Sequence, residues 1–166
     1  MTGLWVLPLS EKSKPVAYLV DSSSIPLAGA VAPDSRYAAY GTADSTQRQV
    51  FVQTFPDPSL GKWPLSGLGG GFARWSRDGK EIFFVDAQGR LVVTPVRPGP
   101  RFEVGEAKVL FPLQGFLADA FRPGGANQGY PYDVTPDGQR FVTIRLPAEM
   151  PRASLTVLAH WNAAMR

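Results

Sequence analysis

One turn motif recurs along the chain and constrains its fold more than any other feature. Asp78 and Gly79 stand between two runs of bulky, β-prone residues. An Asp side chain can accept hydrogen bonds from backbone N–H groups ahead of it, and Gly tolerates a positive φ. The segment therefore predicts strand, tight turn and strand. The same pattern surrounds Asp34 and Asp137, which lie 44 residues before and 59 residues after Asp78.

A repeat in the forties with about four strands per unit is typical of the blades of a β-propeller. A second repeat supports this interpretation, because the apolar segments 6–9, 52–55 and 93–96 superpose as third strands at intervals of 46 and 41 residues. The sequence predicts an all-β fold with minimal helix. Specifically, it predicts a partial β-propeller of four-stranded antiparallel blades, about three to three and a half of them, arranged as an open arc.

The repeats divide residues 1–166 into four units. These are a half blade at 1–20, a blade at 28–66, a blade at 69–111 and a final three-stranded blade at 130–161. Residues 112–131 form an insertion that accounts for the longer second interval. Because an open arc exposes sheet faces and edges, we expect it to associate with the remaining blades of a longer propeller or with a second copy.

Superposition of the hairpins also predicts which side chains pack between blades. One column contains Val31, Trp75 and Val134, and another contains Ala38, Ile82 and Phe141. We predict structural roles for Trp75 in the core and for Asp34, Asp78, Gly79, Asp137 and Gly138 in the turns.

Composition excludes several classes of function. The 17 basic residues are dispersed and the net charge is only +3, so the chain lacks the concentrated basic surface that nucleic-acid binding requires. It has no Cys, which excludes disulfides and thiolate-ligated metals. No apolar run approaches the ~20 residues that cross a membrane, and the first residues lack the pattern of a signal peptide.

Motifs for catalysis or cofactor binding are not evident. His160, the single histidine, lies in an apolar strand beside Trp161 without partner ligands. The Gly-rich segment 67–71 lacks the Lys-Ser/Thr and following helix of a phosphate-binding loop. The turn aspartates fall in different blades, which favours turn acceptors over calcium ligands. We therefore predict no catalytic residue, no cofactor and no metal site in this chain.

The insertion before residue 132 is the best candidate for a ligand or partner site, because long loops between blades often bind ligands. A merely decorative insertion is the alternative. Arg74, on a first strand beside Trp75, is predicted to line the central channel. Its counterparts are Ala30 and Asp133, so no ring of like charge is shared between blades. The candidate residues are Phe116, Phe121, Arg122, Asn127, Tyr130, Tyr132 and Arg74.

The turn motifs resemble those of a known repeat family. Residues 32–36 (Ala-Pro-Asp-Ser-Arg) and 135–139 (Thr-Pro-Asp-Gly-Gln) resemble the TolB-type, WD-repeat-like propeller repeat. Segments 61–63, 74–81, 132–141 and 155–161 are similar to the C-terminal propeller of bacterial serine/threonine protein kinases. The chain departs from the pattern at Ser35, where Gly is usual, and at His160, where Asn is expected.

The resemblance implies a non-enzymatic sensory or interaction module that binds a protein or small-molecule ligand. In the kinase-linked group such a propeller joins the kinase through a membrane segment, which implies an extracytoplasmic or periplasmic location without direct membrane insertion of the propeller. The alternative is the gating propeller of a prolyl-oligopeptidase-like hydrolase. That function requires an α/β catalytic domain, and residues 1–166 contain neither its Gly-x-Ser-x-Gly motif nor kinase motifs.

Overall fold

The computed structural model describes residues 3–9, 14–20, 24–44, 47–65, 67, 69–99, 101–113 and 130–143. The strands in these ranges are β1 (Gly3–Val6), β2 (Val16–Val20), β3 (Ile25–Val31), β4 (Tyr37–Ala43), β5 (Arg48–Thr54), β6 (Lys62–Pro64), β7 (Gly71–Trp75), β8 (Glu81–Val85), β9 (Arg90–Arg97), β10 (Glu103–Val104), β11 (Lys108–Pro112), β12 (Tyr132–Val134) and β13 (Phe141–Thr143). A 3-10 turn (Pro58–Leu60) precedes β6. No helix in the described ranges is long and apolar enough to span a membrane.

The strands form four antiparallel sheets in chain order, which confirms the prediction of an all-β chain. The first sheet is β1–β2, the second is β3–β4–β5–β6, and the fourth is β12–β13. In the third sheet β7, β8 and β9 pair in sequence, and both β10 and β11 pair with β9. Each strand thus pairs chiefly with its neighbour along the chain, as the short turns require. The predicted strand 154–161 lies outside the described residues.

The Asp78 turn shows why this sequence makes a tight hairpin. The Asp78 carboxylate accepts hydrogen bonds from Ser76 Oγ at 2.7 Å and from the Lys80 backbone N–H at 3.1 Å. Gly79 occupies the left-handed region at a φ of 71°. The side chain thereby satisfies backbone and hydroxyl donors that the turn would otherwise leave unpaired.

The same geometry recurs in the other two predicted turns. Asp34 accepts from the Arg36 N–H at 3.0 Å, and Asp137 accepts from the Gln139 N–H at 3.1 Å and from the Thr135 hydroxyl. The position equivalent to Gly79 has a φ of 57° at Ser35 and 69° at Gly138. The departure at Ser35 therefore leaves the backbone shape unchanged but places a side chain where Gly is favoured.

Two clusters of buried apolar residues are found in the described ranges, one on each face of the third sheet. Alternation along β8 divides its apolar run between them: Ile82 and Phe84 join the cluster shared with the second sheet, whereas Phe83 and Val85 join the cluster shared with the fourth sheet. All four side chains are at most 2 % exposed. A strand that is buried on both faces carries a continuous apolar run, as this one does.

The first predicted column of packing residues is correct at Trp75 and wrong at Val31. Trp75 is 8 % exposed, and its indole N–H donates to the Ala30 carbonyl in the second sheet at 3.0 Å. Val134 is half-buried against the third sheet. Val31 is 49 % exposed, because its face of β3 points toward the first sheet, whose two described strands do not cover it. In the second column, Ala38 and Ile82 are buried and Phe141 is partly buried.

Replacement of Trp75 by Ala should lower the free energy of unfolding by about 3–5 kcal/mol, because it removes a buried indole and leaves a cavity between two sheets. The matched control is Trp5→Ala, since Trp5 is 54 % exposed and its loss should change stability little. Denaturant titration of both variants measures the difference. Equal losses would contradict the packing of Trp75.

The positive φ of Ser35 generates a second prediction. Ser35→Gly should stabilise the protein by about 0.5–1 kcal/mol, because Gly adopts the left-handed region without the steric cost that Ser incurs. The reciprocal variant Gly79→Ser should lose about 1 kcal/mol, although the nearest atom to an added Cβ, Pro33 Cδ, is 3.7 Å away. Thermal melting measures the change in Tm of both variants relative to wild type, and changes of the same sign would refute the prediction.

Candidate functional site

The structure brings three of the predicted site residues together. Arg74 on β7 faces Tyr130, which precedes β12, and Tyr132 at the start of β12. They border an open cleft of about 330 Å³, called here the Arg74 cleft, near the lower end of the range usual for ligand pockets. Its lining residues are Arg74, Tyr130, Pro131, Tyr132, Asp133, Val142 and Thr143. The other predicted site residues, Phe116, Phe121, Arg122 and Asn127, lie outside the described residues, as does His160.

The register of β7 directs Arg74 into this cleft. Since successive side chains point to opposite faces of a strand, Trp75 packs on the second sheet and Arg74 points toward the fourth sheet. The pairing of β7 with β8 shifts between Gly71 and Arg74, and Phe72 within this bulge has a φ of 61°. A bulge re-aims the side chains that follow it, and a bulky residue with positive φ is an uncommon, strained feature.

A hydrogen bond ties the bulge to the fourth sheet. Tyr132 is 3 % exposed, and its hydroxyl donates to the Phe72 carbonyl oxygen at 2.8 Å. The same phenol therefore satisfies a carbonyl in the bulge and anchors β12 beside β7. In the fourth sheet the Thr143 hydroxyl donates to the Pro131 carbonyl at 3.1 Å. These two bonds fix both walls of the Arg74 cleft.

The Arg74 guanidinium lies over an aromatic ring and near one carboxylate. Its central carbon is 3.8 Å from the centroid of the Tyr130 ring, which is a close cation–π contact. Its Nε atom is 3.9 Å from Asp133 Oδ1, close enough for charge attraction but too far for a hydrogen bond. The Asp133 oxygen instead accepts from the Val134 N–H at 3.0 Å.

Two donors in the cleft have no acceptor within the described part of the chain. Both Arg74 Nε and the Tyr130 hydroxyl are buried atoms without a hydrogen-bond partner there. Buried polar groups are nearly always paired, and an unpaired one costs about 1–3 kcal/mol. Both side chains line the open cleft, and the Arg74 side chain as a whole is 35 % exposed, so a bound molecule can reach it from the cleft.

The protonation state of the Tyr130 and Tyr132 phenols determines whether they can donate hydrogen bonds or act as bases. Burial raises the pKa of Tyr130, an effect that the neighbouring Arg74 charge partly offsets. Burial also raises the pKa of Tyr132 well above its ordinary value of 10.0. Both hydroxyls are therefore protonated at neutral pH, so they serve as hydrogen-bond donors rather than as bases.

A second cleft, of about 440 Å³, lies between the Asp78 and Asp137 turns. The pKa of each of these carboxyls is lowered, chiefly by the side-chain hydroxyl that it accepts from, Ser76 or Thr135. Their oxygens are thus used within their own turns. Within the described ranges no group of His, Cys, Asp or Glu side chains is arranged to hold a metal ion. This second cleft therefore offers less for a ligand than the Arg74 cleft.

The sequence named Arg74, Tyr130 and Tyr132 as candidates, and the structure places them at one cleft together with Asp133, which was not among the candidates. The hairpin superposition aligned Asp133 with Arg74 and interpreted the opposite charges only as the lack of a shared charge ring. In the structure these aligned residues of successive sheets are 3.9 Å apart. The alignment of Asp133 with Arg74 in the sequence therefore already indicated that the two residues are neighbours, because equivalent positions on adjacent first strands face one another.

The buried Tyr132 phenol gives a pH-dependent prediction. A phenol whose pKa is raised in the folded state stabilises the fold below its unfolded-state pKa of 10.0, and this contribution is lost as pH rises toward the folded-state pKa. Tyr132→Phe should lose about 1–2 kcal/mol at neutral pH, because it removes the buried hydrogen bond from the phenol to the Phe72 carbonyl. Its stability should also fall less steeply above pH ~10 than that of the wild type.

Thr143→Val is the control for this experiment, because it removes a neutral hydroxyl bond in the same sheet and no titrating group. Urea titrations at neutral and alkaline pH measure both effects. The remaining alkaline dependence should come partly from Tyr18, whose pKa burial raises to about 12. Parallel pH profiles for wild type and Tyr132→Phe would contradict this account.

Comparison with known proteins does not assign a family. No protein-family model matches the chain, and no curated protein is significantly similar to it. The resemblance to kinase-linked propellers stays a prediction, and the geometry of the Arg74 cleft is the basis for assigning a function.

Proposed function

We propose that the chain is a segment of a TolB-type β-propeller and that it acts as a non-enzymatic binding or sensory module. Support for the propeller comes from successive antiparallel meanders that pack face to face in chain order, with the same Asp turn after their first strands. The incomplete arc is completed by further blades of a longer propeller or by a second copy. Kinase linkage and an extracytoplasmic location belong to the same proposal.

The observation that carries the binding function is the pair of unsatisfied donors in the Arg74 cleft. Arg74 Nε and the Tyr130 hydroxyl are buried and lack acceptors in the described residues, and the two side chains line the open cleft. In a propeller the first strand of each blade is innermost and faces the central channel. Because β7 and β12 are the first strands of their sheets, the proposed site lies at the channel, where a ligand or partner segment can enter.

The binding proposal is tested by screening small ligands of different classes for an increase in Tm. Carboxylates, phosphates, amines and sugars are added singly to wild type, to Arg74→Gln and to the control Arg101→Gln. Arg101 is exposed and outside the Arg74 cleft, so its loss should be neutral. We expect at least one class to raise the Tm of wild type and Arg101→Gln, and not that of Arg74→Gln.

Two outcomes would contradict the proposal. One is the absence of any class that stabilises the wild type, and the other is an equal response in Arg74→Gln. Separately, hydrolysis of prolyl peptides by the purified chain would overturn the non-enzymatic part of the proposal.

A further inference from the structure

We infer that the Arg74 cleft recognises a carboxylate group, an inference that rests on the proposed binding function and specifies its ligand class. The planar guanidinium presents N–H donors in a fork that matches the two oxygens of a carboxylate. One face of the Arg74 guanidinium is covered by the Tyr130 ring at 3.8 Å. Stacking on this ring restricts rotation of the guanidinium plane.

The Tyr130 hydroxyl provides a second donor at the same place. It belongs to the ring on which Arg74 stacks, and like Arg74 Nε it has no acceptor among the described residues. Two donor side chains that line one cleft, one of them cationic, fit a ligand that offers acceptors only. An ionised carboxylate is such a ligand.

Asp133 favours a singly charged ligand over a doubly charged one. Its carboxylate lies 3.9 Å from Arg74 Nε and is held there by the bond from the Val134 N–H, so it balances the guanidinium charge without satisfying the donor. A dianionic phosphate would meet this like charge at close range, whereas a monoanionic carboxylate meets less repulsion. Pro131 and Val142 add apolar wall on which the aliphatic part of a ligand can pack.

A carboxylate can come from a free small acid or from the terminus of a peptide, and the test separates these sources. The wild-type chain is titrated with propionate, N-acetyl-Ala-Ala, its C-terminal amide and inorganic phosphate, with binding followed by calorimetry or NMR. We expect the acid peptide to bind at least about tenfold more tightly than the matched amide, and phosphate to bind more weakly than the carboxylates. Propionate binding equal to that of the peptide identifies the carboxylate alone as sufficient, and a clear preference for the peptide identifies a chain terminus.

Variants assign the interaction to the cleft. Arg74→Gln should weaken binding of the acid peptide about tenfold or more, and Tyr130→Phe several-fold. Arg74→Lys retains the positive charge but removes the planar guanidinium, so an intermediate loss of affinity for the acid peptide is expected. This variant keeps the test valid if Arg74→Gln does not fold. Asp133→Asn should strengthen phosphate binding relative to carboxylate, and Arg101→Gln should leave all affinities unchanged.

Equal affinity for acid and amide, or tighter binding of phosphate than of carboxylate, would overturn the inference. If a neutral ligand or an amine from the screen binds in an Arg74-dependent way while carboxylates do not, the carboxylate assignment fails and the proposed binding function stands. If neither the carboxylates nor any other class binds, the proposed function fails as well. A merely structural Arg74 would give that last result together with loss of stability in Arg74→Gln.

Discussion

Burial of the third sheet on both faces is the constraint on which the rest of the structure depends. The alternation of Ile82, Phe83, Phe84 and Val85 sends consecutive side chains into opposite clusters, so one strand joins the second sheet to the fourth. Burial of apolar surface away from water is the main favourable term in folding. The third sheet buries apolar side chains on both of its faces. The second and fourth sheets are therefore positioned by packing against the two faces of the third sheet.

The same alternation sends the two neighbouring residues Trp75 and Arg74 of β7 to opposite faces of the sheet. Trp75 packs toward the second sheet and bonds to the Ala30 carbonyl, whereas its neighbour Arg74 must point the other way. There it meets the aromatic start of the fourth sheet, where Tyr132 holds the strained bulge at Phe72. The position of the cleft therefore follows from the packing of β7, since the strand that places Trp75 in the core also places the Arg74 guanidinium at the cleft.

Among the described residues, the turn aspartates and Arg74 differ in how their charged groups are hydrogen-bonded. Turn aspartates such as Asp78 use their oxygens on the donors of their own hairpin, and their lowered pKa reflects those bonds. Arg74 differs, because its nearest carboxylate is bonded elsewhere and its Nε is left without an acceptor in the described residues. The turn aspartates therefore stabilise their hairpins, whereas the unpaired donor of Arg74 is the basis of the proposed binding site.

The sequence by itself determined the turns and the strands between them, because an Asp with Gly at the next position fixes a tight hairpin through local hydrogen bonds and backbone freedom. It also indicated Trp75 as core and Arg74, Tyr130 and Tyr132 as candidates. Only the tertiary structure decided that Val31 is exposed and that β7 carries a bulge with a positive φ at Phe72. Those features depend on which sheet covers which face, and such long-range contacts leave no local signature in the chain.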